Sequence, residues 1–123
     1  MKKTRDIMVC VTGQRACDRL ISRGVARRDE GSKLHVVHCV QTGRHFLNSE
    51  DESDAIEYLF TAAQLAGGDL TMLRTDDVED ALVDYANENG VELIIMGAPH
   101  ESGDTIVARL QRRLPEIEFD VVG

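Results

Sequence analysis

Two glycine-bearing turns hold the residues best suited to chemistry. Thr12-Gly13-Gln14-Arg15 follows the apolar run Ile7-Met8-Val9-Cys10-Val11, and Gly97-Ala98-Pro99-His100-Glu101-Ser102-Gly103 follows Leu93-Ile94-Ile95-Met96. Unpaired N–H groups at a helix start attract anions, and a glycine lets a ligand approach the backbone closely. Arg15 adds a cation suited to phosphate, while His100, Ser102 and Gly103 give the second turn polar groups and a further small residue. The chemistry this favours is capture of a nucleotide or another small anion. An ordinary strand-to-helix turn uses the same residue types, so the pair of turns is the signal, not either glycine alone.

Other chemistry finds little support. His35, His38 and Cys39 resemble a metal set on paper. On a strand, however, residues three apart point to opposite faces, so the two histidines do not converge on one ion. No G-x-S-x-G elbow and no G-x-x-x-x-G-K-[ST] loop occurs, and the full dinucleotide fingerprint is missing. A receiver domain needs acids after the first strand, where Thr12-Gly13-Gln14 stands. No catalytic residue, metal or cofactor is expected.

The elements that position the turns follow from periodicity. The pattern predicts a strand over about residues 7–12, then a helix over about 15–29 with Ala16, Leu20, Ile21 and Val25 on its inner face. Gly31 stops that helix. A second strand covers about 33–40, and 41–49 is a polar loop. Ser49 with Glu52 forms a capping box for a second helix whose stripe is Ile56, Leu59, Phe60, Ala63 and Ala66. After Gly67-Gly68 comes a strand over about 69–74. Asp76 with Glu79 caps a third helix, whose inner face is Val78, Ala81, Leu82, Tyr85 and Ala86. Asn89-Gly90 ends it. A strand over about 92–96, a helix holding Ile106, Val107, Leu110 and Leu114, and a strand over about 118–122 complete the chain.

Alternation of this kind implies a parallel sheet with right-handed crossovers. The strands at 7–12 and 92–96 are apolar on both faces and therefore central. That favours a five-stranded α/β fold in the order 3-2-1-4-5, with two helices on each face. The connection direction then reverses between strands one and four, where such sheets bind ligands, and both glycine turns lie at that point.

Composition narrows the classes. The 123 residues suffice for one domain, 1–123, with a real core. No apolar run reaches the roughly 18–20 residues of a membrane helix, and no secretion signal is evident, so a cytoplasmic location is expected. Cys10, Cys17 and Cys39 are odd in number and widely spaced, which fits a reducing compartment. The net charge is −8, which argues against nucleic acid as a partner. The charge is uneven. Residues 1–44 hold ten Lys/Arg and four Asp/Glu, a net +6, while residues 45–108 hold one and fifteen, a net −14. Arg15, Arg19, Arg23 and Arg27 recur every fourth residue along the first helix. They form either a solvated face or a dock for an acidic protein surface.

Three segments together resemble the universal stress protein family over nearly the whole chain. They are Asp6-Ile7-Met8-Val9-Cys10-Val11-Thr12-Gly13, Leu34-His35-Val36-Val37-His38-Cys39-Val40, and residues 81–86 leading to Val91-Glu92-Leu93-Ile94-Ile95-Met96-Gly97. The ending Arg109-Leu110-Gln111-Arg112-Arg113-Leu114-Pro115-Glu116-Ile117-Glu118-Phe119-Asp120-Val121-Val122 is most similar to the stress-protein domain of Kdp-type potassium-sensing histidine kinases. The resemblance implies the same sheet order, of the Rossmann-like, adenine-nucleotide α-hydrolase-like kind, and a ligand crevice where Thr12, Gly13, Val40 and Gly97 keep family positions. It also implies a homodimer through strand five. ATP-binding members carry an acid at the end of strand one and G-x-x-G, nine residues, then G-[ST]. Here Thr12 stands in the first place and Gly97-Ala98-Pro99-His100 in the second, with no later G-[ST]. The resemblance therefore implies a non-enzymatic regulatory module in stress or potassium-linked signalling, with ATP bound weakly or not at all. Its rivals are a nucleotide-dependent enzyme on this sheet and a dimerisation domain with an empty crevice.

Overall fold

The computed structural model describes residues 6–11, 14–29, 31–41, 49–98 and 105–122, with side chains for all of these but 14–17, 40–41 and 49–55. The elements alternate as β1 (Asp6–Val11), α1 (Gln14–Arg27), β2 (Leu34–Gln41), α2 (Ser49–Leu65), β3 (Asp69–Thr75), α3 (Val78–Glu88), β4 (Val91–Gly97), α4 (Ile106–Arg113) and β5 (Glu118–Val122). The sheet runs β3-β2-β1-β4-β5, and every paired neighbour is parallel. This is the order expected from the two strands that are apolar on both faces.

Strand alternation splits the core into two layers. Ile7, Val9 and Val11 join Val36, Leu93 and Ile95 under Leu20, Ile21, Leu59 and Ala63 of α1 and α2. Met8, Cys10, Val37, Ile94 and Met96 face Leu82, Val83, Ala86, Val107 and Leu110 of α3 and α4. Two helices thus cover each face. Among the described residues no helix is long and apolar enough to cross a membrane.

Helix positions differ from the sequence reading in informative ways. Val25 is 46% exposed, because Gly24 takes the inner position. A Cβ at Gly24 would lie 2.9 Å from both Leu34 Cδ1 and Val9 Cγ2, so the glycine lets α1 settle directly on β1 and β2. Phe60 is also exposed, and Ala62 packs against the core in its place. On α3, Val83 is buried alongside Leu82 and Ala86. The cap of α3 is Asp77, not Asp76. Its carboxylate accepts from the Asp80 amide at 3.1 Å. Glu79 is thereby released for ion pairs across to α4. The capping box read at Ser49 and Glu52 falls on side chains outside those described, and residues 42–48 also lie outside them.

Polar contacts lace the elements together. Arg28 Nη1 donates to the Ala66 and Gly67 carbonyls at 3.2 and 3.3 Å, closing the C-terminus of α2 from the end of α1. Arg109 and Arg113 of α4 bind Glu79 at 2.6 and 2.8 Å, and Arg113 also binds Asp80 at 2.6 Å. At the amino end of the sheet, His35 Nε2 meets Asp6 Oδ2 at 3.2 Å and its Nδ1 meets Tyr85 OH at 3.0 Å. Thr71 Oγ1 lies 3.3 Å from the same phenol. One polar chain therefore ties β1, β2, β3 and α3.

Candidate functional site

The candidate site lies where β1 and β4 end side by side. Two residues, Thr12 and Gly13, link Val11 to the start of α1 at Gln14; both lie outside the described residues, as do His100, Ser102 and Gly103. The structure places the backbone of Gln14 and Arg15 in the first turn of α1 and that of Val40 near the end of β2. Gly97 is the last residue of β4. The described part thus brings the carboxyl ends of β1 and β4 together with the N-terminus of α1, as the sheet order requires.

Charge around this point is selective. A helix N-terminus carries partial positive charge, which an acid in the first turn neutralises. The two helices that follow β1 and β4 have no such acid: the first turns of α1 and α4 are free of Asp and Glu. By contrast, α3 has Glu79 and Asp80 in its first turn, and α2 opens on Ser49-Glu50-Asp51-Glu52. The first turns that follow β1 and β4 thus lack the acids carried by those of α2 and α3, while Thr105 caps α4, its hydroxyl accepting from the Ala108 amide at 3.2 Å.

Gly97 has a second property. A Cβ built there meets nothing within 4 Å, and its φ is not positive. Among the described residues, therefore, neither packing nor backbone conformation demands a glycine at this place. The next amide is committed: Ala98 N donates to Val122 O at 2.8 Å, extending the β4–β5 ladder. That N–H is not available to a phosphate, so the β4 turn offers fewer donors than its glycine suggests.

Beneath the crevice lies a residue whose place the sequence did not reveal. His38 is buried level with Val11, and its Nδ1 donates to the Val11 carbonyl at 2.9 Å. A carbonyl only accepts, so Nδ1 carries the proton. The bond fixes the carbonyl from which the Thr12-Gly13 turn departs. His35 is on the other face of β2, with Tyr85, so the two histidines diverge as their spacing requires. Among the described residues no cluster of three or more His, Cys, Asp or Glu could hold a metal.

Nothing described forms a nucleophile with a base. Burial, and to a lesser degree neighbouring Cys39, push the Cys10 thiol up to about 12, leaving it protonated and inert. The Arg stripe of α1 is partly occupied within the chain. Arg27 binds Glu118 at 2.6 Å and Asp120 at 3.2 Å, and Arg23 lies 3.7 Å from Asp120. Both carboxylates belong to β5. A concavity of about 630 Å³ lined by Asn87, Glu92, Arg113 and Glu116 sits at the amino ends of β4 and β5, opposite the crevice.

Comparison with known proteins agrees with this geometry. No curated protein sequence matches the chain. Among solved structures, a universal stress protein in complex with cAMP is 20% identical, with 99% of each chain covered and a TM-score of 0.64. The universal stress protein from Archaeoglobus fulgidus in complex with dAMP is 17% identical, covering 96% of this chain and 95% of that one, at a TM-score of 0.53. A universal stress protein family protein from Arabidopsis thaliana with AMP bound is 14% identical, covering 96% and 90%, at 0.60. Residues 3–107 match the universal stress protein family, and with most of its length so matched the chain belongs to that family.

Proposed function

We propose that this chain is a non-catalytic regulatory module that takes a nucleoside monophosphate, or a small anion of similar charge, in the crevice between β1 and β4. The observation that carries the reading is that the helices following β1 and β4 have no acid in their first turns, unlike α3. The bareness of Gly97 supports it, since a ligand is what a glycine there accommodates. The fold neighbours that hold cAMP, dAMP and AMP suggest the ligand class, and all three carry a single phosphate.

ATP is expected to bind poorly. The glycine pattern that cradles a triphosphate is absent after Gly97, and the Ala98 amide is spent on Val122. The output is carried by a homodimer through β5 in cytoplasmic stress or potassium-linked signalling. Two features favour that edge. Val121 stands exposed on it, and Arg23 and Arg27 neutralise Asp120 and Glu118, which would otherwise repel their copies across a two-fold axis.

Calorimetric titration with AMP, cAMP and ATP tests the ligand assignment. Monophosphate binding that Gly97→Val removes is expected, with ATP weaker than about 1 μM, or roughly −8 kcal/mol. ATP binding tighter than that, or no binding of any of the three, contradicts it. The second outcome would leave a dimerisation domain with an empty crevice.

A further inference from the structure

The α1/α2 face carries an apolar groove between two helices of opposite charge. The groove, about 410 Å³, is lined by Asp18, Ile21, Val25, Tyr58, Ala62 and Leu65 among others. Its lips are unusually apolar for solvent: Val25 is 46% exposed, Tyr58 41% and Leu65 86%. By sequence α1 carries four arginines and one aspartate and α2 five acids and no base; Arg23 and Arg27 are taken by Asp120 and Glu118 of β5, which leaves Arg19 on α1 and Glu57 on α2 as exposed charges.

We infer that this face is a self-association surface, on which two copies meet about a two-fold axis running along the groove. Both helices are crossovers of a parallel sheet and run in the same direction. Rotation about an axis along the groove keeps each residue's height and exchanges the two sides. It lays α1 of each copy over α2 of the other, so the basic helix meets the acidic one twice. The register comes from a contact within the chain: Tyr58 OH donates to Asp18 Oδ2, which sets those two residues level. Their outward-facing neighbours are Arg19 and Glu57, both exposed. Arg19 of each copy therefore stands over Glu57 of the other. Val25 and Leu65, one helical stretch further on, close over each other in the same way. A two-fold interface must be self-complementary, and a face that is basic on one side and acidic on the other satisfies this only when rotated onto itself.

The surface adjoins β5 at one side, where Arg19 lines a concavity with Val122. Its test is done in a Val121→Lys background, which removes strand-edge pairing, with folding checked by circular dichroism. Sedimentation equilibrium is expected to show a concentration-dependent dimer that weakens with salt. Arg19→Glu alone and Glu57→Arg alone each set like charges face to face twice and are expected to weaken the dimer about tenfold. In an equimolar mixture of the two variants the heterodimer sets a glutamate against an arginine at both contacts, so heterodimers should form more strongly than either variant pairs with itself. A Val121→Lys protein that stays a single chain up to millimolar concentration overturns the inference. So does a dimer indifferent to both reversals, or a mixture no stronger than its components. Failure of β5 pairing would appear differently, as an unchanged mass on going from wild type to Val121→Lys.

Discussion

Single residues show where the sequence was transparent and where it was not. The apolar runs of β1 and β4 announced their burial, because no polar residue interrupts them. Gly24 was opaque: apolar spacing favoured Val25, and only the 2.9 Å approach to Leu34 and Val9 explains why the inner position must be bare. Gly24→Val is expected to cost about 1–3 kcal/mol through overpacking, measured by urea unfolding. The chain Asp6–His35–Tyr85–Thr71 was equally hidden, since its members lie on four different elements. Tyr85→Phe keeps the ring and deletes the shared hydroxyl, so a loss of about 1 kcal/mol is expected in the same assay. A change indistinguishable from zero would mean that the phenol's bonds add nothing net. His38 belongs with this group. Its identity was plain, but its role in holding the Val11 carbonyl required the register of β1 against β2.

Elements carried most of the legible information. Strand–helix alternation and glycine stops located the nine elements of the described residues, with the largest end errors where a helix meets a strand. The cap of α3 moved by one residue to Asp77, and this shift matters for electrostatics. Arg113 first, then Arg109, hold Glu79 below the ordinary carboxyl value of 4.5, and Arg113 holds Asp80 below 3.8. A depressed carboxylate stabilises the fold above its unfolded value, and that contribution is lost as pH falls through the folded one. Thermal stability should therefore decline below about pH 4.5, and Glu79→Gln should shrink the decline. A Glu79→Gln protein with the parent's full acid sensitivity would show that this network adds no pH dependence. α1 reaches the β5 acids through Arg23 and Arg27, a cross-layer contact that no local pattern encodes.

At the scale of the whole molecule, topology was the best-read feature and the ligand the least. Two doubly buried strands at the centre, with the mixed 69–74 strand and the partly alternating 118–122 strand toward the edges, gave the order β3-β2-β1-β4-β5. That order alone fixed where the connection direction reverses, between β1 and β4. What occupies that point depends on backbone donors, and these are governed by pairings such as Ala98 to Val122 that periodicity cannot express. The contrast between acid-free helix starts at α1 and α4 and acid-rich ones at α2 and α3 was present in the sequence. It gained meaning only once the first pair was known to flank one point. Anion capture at that point is the central claim, and amide chemical shifts of ¹⁵N-labelled protein titrated with AMP test it most directly. Saturable shifts confined to the carboxyl ends of β1 and β4 and the first turn of α1, with Val11, Gln14, Gly97 and Ala98 moving most, are expected. Shifts centred on the amino ends of β4 and β5, on the α1/α2 groove, or nowhere at millimolar AMP would contradict it.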